Sequence, residues 1–382
     1  MLKRLIHSHS SSISKGPIVV GMSGGVDSSV SALLLKKMGY DVLGVYMRNW
    51  DNRDENGVCP SEQDWMDVKQ TCDKLKIPCE QVDLSKEYWT MVFDPFLDLL
   101  ASGATPNPDV GCNQFIKFGA FLEKCKDLYQ INQIAFGHYA QKQTKLESLD
   151  CQLLKAIDQT KDQTYYLSQI SQQSLQKTIF PIGHLLKSQV KEIARLNGLE
   201  KISSKRESMG ICFIGKRPFG SFVSEYIQQT PGHIVTLEGE IVGTHQGLSS
   251  FTIGQNARIS GSTNKWFIAH KDVHRNQMVV VPSGNHIALQ RRVIFSSIHW
   301  INQRPKSKNM HVKFRYRTES KPAIVEVDDE GVKVEFKESQ IGLTVGQTIA
   351  IYDGNVCLGG GVVHKLGRWD YEGSEDIIPK NL

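Results

Sequence analysis

The chain has 382 residues, enough for two or three domains of roughly 100–200 residues each. Its 40% hydrophobic and 22% charged content is that of a globular fold, and no apolar run reaches the ~18 residues of a membrane span. The formal charge of +5 is too small by itself to mark a nucleic-acid partner, and no two of the eight cysteines have CxxC spacing, which excludes a zinc knuckle or a thioredoxin-type motif.

Residues 1–15 read MLKRLIHSHSSSISK, with Lys3, Arg4, Lys15 and five serines, and no acid precedes Asp27. This composition is that of a mitochondrial transit peptide and points to the mitochondrial matrix; the alternative is a plain N-terminal tail on a cytoplasmic protein. Reduced thiols suit either location. From Pro17 the pattern alternates. Strands are expected at Pro17–Met22, Asp41–Met47, Cys79–Val82 and Gln133–Phe136. Helices are expected at Val26–Met38, Ser61–Leu75 (Ser61 as N-cap), Glu87–Ala101 and Asn113–Leu128. Alternating strands and helices imply an α/β, doubly wound parallel sheet over 16–203, with ligands at the carboxyl ends of the strands. Two small β-rich domains are then expected, at 204–283 and 284–382. Their short strands start near His233, Glu240, Trp266 and Met278, and near Arg292, Met310, Ala323, Val332 and Thr348.

Charge is unevenly distributed. Val273 to Thr318 holds no acid but nine basic residues: Arg275, Arg291, Arg292, Arg304, Lys306, Lys308, Lys313, Arg315 and Arg317. Phe295, Trp300, Phe314 and Tyr316 lie among them. That is either a polyanion-binding surface or the solvated face of a basic β-domain.

The most specific local signal is GMSGGVDSS, from Gly21 to Ser29, between the first strand and the first helix. Gly21, Met22, Ser23, Gly24 and Gly25 allow close backbone approach to an anion. Val26, Asp27, Ser28 and Ser29 open the helix, whose amides and dipole favour phosphate. The loop has neither GxxxxGK[ST] nor GxGxxG spacing. It resembles the loop of enzymes that split ATP into AMP and pyrophosphate, which makes Asp27 a candidate Mg²⁺ ligand. In TPNPDVGCN, two prolines stiffen the chain and hold Asp109 and Cys112 three residues apart, before the expected helix. A thiol there is activated by the helix start; Asp109 is either a proton relay or a helix cap. Cys212 stands in MGICFIG. The other cysteines, Cys59, Cys72, Cys79, Cys125, Cys151 and Cys357, are read as small buried hydrophobes.

GMSGGVDSS, TPNPDVGCN, FGHYA, KDQTYYL, GICFIG, GTHQGL and CLGGG, in this order from about Pro17 to Val363, resemble the tRNA-specific 2-thiouridylase family, and with the N-terminal tail its mitochondrial form. The resemblance implies an ATP-pyrophosphatase domain of the adenine nucleotide alpha hydrolase kind, and a C-terminal barrel-like domain that binds tRNA. It implies ATP and Mg²⁺ as cofactors, the anticodon region of tRNA as partner, and a sulfur-donor protein such as a cysteine desulfurase or relay. The expected reaction adenylates the C2 oxygen of the wobble uridine (position 34) and replaces it with sulfur from a persulfide on Cys212. Cys112 would attack that persulfide, and Asp109 would serve as acid, base or orienter. Met47 and Gly137 would join the loop at ATP. Asn107, Pro108 and Asp109 would meet the flipped base. His138, Lys161, Asp162, Gln163, Arg315, Tyr316 and Gln347 would contact tRNA. Gly210 and Gly215 would act as hinges around Cys212.

The chain departs from the family pattern at Glu207–Ser208–Met209, at Ala104, at Gly111, and in a shorter stretch after Gln255. These put tRNA contacts and the sulfur donor in doubt, not the reaction. Other readings are an amide- or guanidine-forming synthetase on the same loop, or an RNA-binding protein with a vestigial nucleotide fold. A third is an iron–sulfur variant with Asp109, Cys112 and Cys212 as ligands, which the absence of CxxC disfavours.

Overall fold

A computed structural model describes residues 14–50, 60–144, 150–205, 211, 214, 217–284, 286–302, 304–305, 307–329 and 331–367. Cys59, Cys212, Glu207–Met209, Gly210, Gly215, Lys306 and the first 13 residues lie outside them.

The first sheet is parallel. Strands β1 (Pro17–Met22), β2 (Asp41–Arg48), β3 (Cys79–Asp83), β4 (Ile134–Phe136) and β7 (Thr178–Ile179) stand in the order β3-β2-β1-β4-β7. β1 is apolar along its length because helices cover both faces; Ile18, Val19 and Val20 are fully buried. Helix α1 (Val26–Lys37) places Asp27 in its first turn and Lys36 and Lys37 in its last, matching the helix dipole. Chain order reverses around β1, whose neighbours are β2 and β4. The crevice at the carboxyl ends of β1 and β4 is therefore the switch point where ligands bind in such sheets.

Three helices differ from the sequence reading. Helix α2 (Pro60–Leu75) begins at Pro60, so Ser61 lies inside it and is not its N-cap. Helix α3 spans 85–101 and is π-helical over Trp89–Phe93. Helix α4 spans 108–129 and is π-helical over Cys112–Ala120. It starts five residues before the expected Asn113, because Asn107 caps it (Asp109 N–H to Asn107 Oδ1, 3.1 Å) and Pro108 supplies a preset first turn. Asp109 is therefore a first-turn residue, not the cap. Cys112 lies past that turn, so the field of the helix start falls on Asp109 rather than on the thiol.

Four strands, β8 (Gly232–Val235), β9 (Ile241–His245), β10 (Phe267–Asp272) and β11 (Gln277–Val281), form a sheet in the order β10-β11-β8-β9. The remaining strands, β12 (Gln290–Trp300), β13 (Asn309–Lys313), β14 (Lys321–Val327), β15 (Val332–Ile341), β16 (Thr348–Asp353) and β17 (Val356–Leu366), close into a barrel through the β12–β17 pairing. The β5–β6 hairpin (Ala140–Thr144 and Cys151–Lys155) adds to this last sheet, β6 pairing with β17. It welds the parallel-sheet unit to the barrel. Sequence patterning missed the hairpin and β17.

Candidate active site

The loop after β1 is built for an anion. Gly25 is the N-cap of α1 and, having no side chain, makes no cap bond, so first-turn amides stay open to a ligand. Ser28 and Ser29 turn back on Gly25 O, at 3.1 and 2.9 Å, and Ser28 Oγ also accepts from Ser23 N–H at 3.2 Å. Gly24 has φ +70° and lies so close to α2 that a Cβ would come within 2.8 Å of Asp64 O. At the end of β4, a Cβ on Gly137 would stand 2.7 Å from both Asp27 C and Ser28 N. The two motifs thus meet backbone to backbone. Met47 lies on β2, partly buried against the core.

Sequence reading missed the cation at this loop. Lys187, the first residue of helix α6 (Lys187–Leu196), reaches both oxygens of Asp27, at 2.8 and 2.7 Å. Tyr139 Oη donates to the same carboxylate at 2.9 Å. Gln163 braces Tyr139, accepting its N–H at 3.0 Å and donating its own backbone N–H to Tyr139 O at 2.9 Å.

The KDQ turn therefore serves the fold in part. Asp162 is turned inward: its carboxylate accepts from Ala156 N–H at 3.0 Å and Thr164 Oγ1 at 2.7 Å, and it is 4% exposed. Its carboxylate thus braces the turn from inside. Lys161 is half-buried in the same turn.

Asp109 and Cys112 share one end of α4. Cys112 is buried at 5% exposure. Burial pushes the Asp109 carboxyl above its usual range, and the Lys117 ammonium pulls it partly back. His138 is buried against Phe118, Phe136 and Phe180, and burial, with Lys117 adding to it, holds its proton affinity well below the ordinary histidine value. Among the described residues, His138 Nδ1, Asn113 Oδ1 and Gln347 Oε1 are among the buried side-chain atoms without a hydrogen-bond partner, which leaves each able to bond a ligand. Ile214, after Cys212 in sequence, belongs to the same core cluster as Cys112, and Ile211, before it, packs partly buried against that cluster.

The barrel leans on this helix start. Thr105 N–H donates to Val345 O at 2.9 Å, and Tyr165 Oη to Thr348 O at 3.0 Å. Burial pushes the Tyr165 hydroxyl up, and nearby Asn107 and Arg315 hold it partway back. Pro108 is buried. Tyr316 lies on Tyr166 with ring centroids 4.5 Å apart. Arg315 donates to Gly342 O at 2.8 Å, and burial lowers its proton affinity.

The basic stretch is not one open surface. Lys313 is 9% exposed and Phe314 4%. Burial brings Arg291 down to about 9, while Lys308 pairs with Glu326 at 3.2 Å. Among the described residues no group of three His, Cys, Asp or Glu could hold a metal ion, and no helix is long and apolar enough to cross a membrane. Cys72, Cys125, Cys151 and Cys357 are buried, Cys79 partly so.

Three family profiles match the chain: one described as a tRNA methyl transferase HUP domain (16–216), one as a tRNA methyl transferase PRC-barrel domain (220–282), and one as an aminomethyltransferase beta-barrel domain (290–363). Among curated proteins, the tRNA-specific 2-thiouridylase MnmA of Methylobacillus flagellatus is 45% identical over 91% of this chain and 99% of that protein. The MnmA of Alkaliphilus oremlandii is 43% identical, over 93% and 100%. That of Halalkalibacterium halodurans is 46% identical, over 91% and 94%.

Proposed function

The chain belongs to the tRNA-specific 2-thiouridylase family, and from that membership we propose that it adenylates and then thiolates the wobble uridine (position 34) of tRNA. The observation that carries the site assignment is the switch-point crevice. An uncapped helix start there meets Gly137, and Asp109, Cys112 and the unpartnered His138 gather on or against α4.

ATP is cradled by Gly21 to Ser28, with Gly137 beneath the loop and Met47 toward the base. The uridine C2 oxygen attacks the α-phosphorus and pyrophosphate leaves, which turns a poor leaving oxygen into AMP. Released pyrophosphate develops charge beside the Lys187–Asp27 pair, so Lys187 is the resident cation of the loop. Mg²⁺ would enter on the nucleotide phosphates and neutralise their charge; it needs at most one or two protein carboxylates, and Asp27 is the one at hand.

Sulfur comes from a persulfide on Cys212, loaded by a donor protein. The Cys112 thiolate attacks the inner sulfur of Cys212–S–SH, forming a Cys112–Cys212 disulfide and expelling hydrosulfide. Hydrosulfide adds at C2, the C2–O bond breaks, AMP departs and C2=S remains. A thiol reductant restores both cysteines. Asp109, with a raised carboxyl, is suited to passing the proton. His138 Nδ1, Asn113 Oδ1 and Gln347 Oε1 offer polar partners to the flipped base and its neighbours. Asn107 and Pro108 shape the base pocket, while Lys161, Gln163, Arg315 and Tyr316 line the approach for anticodon bases.

A mitochondrial-matrix location is proposed from the composition of residues 1–15 alone; a fluorescent fusion of residues 1–15 that stays cytoplasmic would remove it. Two profiles carry a methyl-transfer description, but paired cysteines and an ATP loop serve sulfur transfer. The test is stoichiometry: one 2-thiouridine per AMP released, with no methyl donor present. AMP release without tRNA dependence, or AMP with no 2-thiouridine formed, would sink the reading.

A further inference from the structure

Lys205 closes helix α7 (Glu200–Ser204), seven residues before Cys212 in sequence and 181 after Gly24. Its ammonium nevertheless ends at the phosphate loop. It donates to Gly24 O at 3.3 Å, to Asp64 Oδ1 at 2.8 Å and to Asp67 Oδ2 at 2.9 Å. Asp64 and Asp67 both stand on α2. Asp67 is only 5% exposed at its side chain and also takes Lys201 Nζ at 3.3 Å. Burial raises the Asp67 carboxyl, but the two lysines outweigh it and hold the carboxyl below its usual value.

The geometry explains a choice the loop must make. A peptide presents its amide and its carbonyl on opposite sides. For amides of the loop to face an anion, a carbonyl nearby must turn inward and find a donor. Gly24, at φ +70°, packs its backbone onto Asp64, and Lys205 supplies the donor.

We propose that Lys205 is a positioning residue for the nucleotide: by holding the Gly24 carbonyl against α2, it fixes the loop in the conformation that receives the ATP phosphates. This rests on reading the loop as the ATP site. It adds that the residue doing the holding stands seven residues before Cys212 in sequence. Asp64 and Asp67 orient the ammonium and cancel its charge. Lys205 therefore acts through backbone placement, not as a free cation at the phosphates.

The experiment is calorimetric titration of a non-hydrolysable ATP analogue with Mg²⁺ into the full-length protein, alongside filter binding of tRNA. Lys205→Met is expected to weaken analogue binding by about tenfold or more, with tRNA affinity unchanged. Lys205→Arg, which keeps a donor, should recover most of the loss. Asp64→Asn with Asp67→Asn should weaken binding in the same direction, and adding Lys205→Met to that pair should cost little more. Folding is checked by circular dichroism; if Lys205→Met fails to fold, the Arg and Asn variants carry the test. Analogue affinity equal to wild type in folded Lys205→Met, or in the folded Asp64→Asn, Asp67→Asn double variant, overturns the proposal. So does equal loss of ATP and tRNA binding, which marks a merely structural contact. If the wild-type protein itself fails to bind the analogue, it is the reading of the loop that falls.

Discussion

Lys187 sets its ammonium on both carboxylate oxygens of Asp27, at 2.8 and 2.7 Å, across 160 residues of sequence. The lysine side chain is 11% exposed and the aspartate 31%, so the cation is largely shielded while the carboxylate still reaches solvent. Replacing Lys187 with Met leaves an uncompensated carboxylate. Discounted for that partial exposure, the stability loss is about 1–3 kcal/mol. Pyrophosphate release should fall by about ten- to a hundredfold, while tRNA binding stays intact. Pyrophosphate release at the wild-type rate would remove Lys187 from the account.

Gly137 is a second handle on the same loop. An added Cβ would stand 2.7 Å from Asp27 C and Ser28 N, backbone atoms that cannot swing away. Gly137→Ala should shift the loop at a cost of about 1–3 kcal/mol, and ATP affinity should fall with it. A crystal structure with an undisturbed Asp27–Ser28 backbone would contradict this.

His138 makes a pH prediction. Its folded proton affinity lies well below the ordinary histidine value of 6.5, first through burial and then through Lys117. A depressed histidine contributes stability that is present above its unfolded value and lost as pH falls toward the folded one, because only the unfolded chain takes up the proton. Between pH 6.5 and 5.5 the wild-type protein should lose roughly 1 kcal/mol more than His138→Gln. Parallel melting curves across that range would show that His138 does not titrate on unfolding.

Much of this was legible in the sequence. The phosphate loop announces itself because its residues are contiguous and its chemistry is backbone chemistry. The parallel strands follow from apolar runs such as PIVVGM. The cation at Asp27 was not legible, since Lys187 opens an ordinary amphipathic helix and only the fold brings it 2.7 Å from its partner. β17 was missed because Gly359, Gly360 and Gly361 depress strand propensity, yet their absent side chains are what lets β12 and β16 approach. The hairpin β5–β6 pairs with a strand more than 200 residues away, a contact no local pattern carries. The π-helical winding after Cys112 has no composition signature either. The inward turn of the Asp162 carboxylate onto Ala156 N–H and Thr164 Oγ1 has no local sequence signal either.

Tyr316 and Arg315 separate tRNA binding from nucleotide binding. Tyr316→Ala removes a ring that already lies on Tyr166 and should weaken tRNA by about 1–3 kcal/mol if anticodon bases extend that stack. Arg315→Ala should weaken tRNA without changing ATP affinity, and the salt dependence of binding should be shallower than in wild type. Equal loss of both ligands in either variant would contradict this division of labour.

The most direct test of the central claim is chemical. Protein, unmodified tRNA, ATP, Mg²⁺ and a persulfide-loading donor are incubated, and the digested RNA is read by mass for 2-thiouridine. Wild type is expected to give thiouridine and Cys112→Ser or Cys212→Ser none, with AMP and pyrophosphate still forming in both variants. Thiouridine that persists without either cysteine, or a wild-type reaction that releases no AMP, would contradict it.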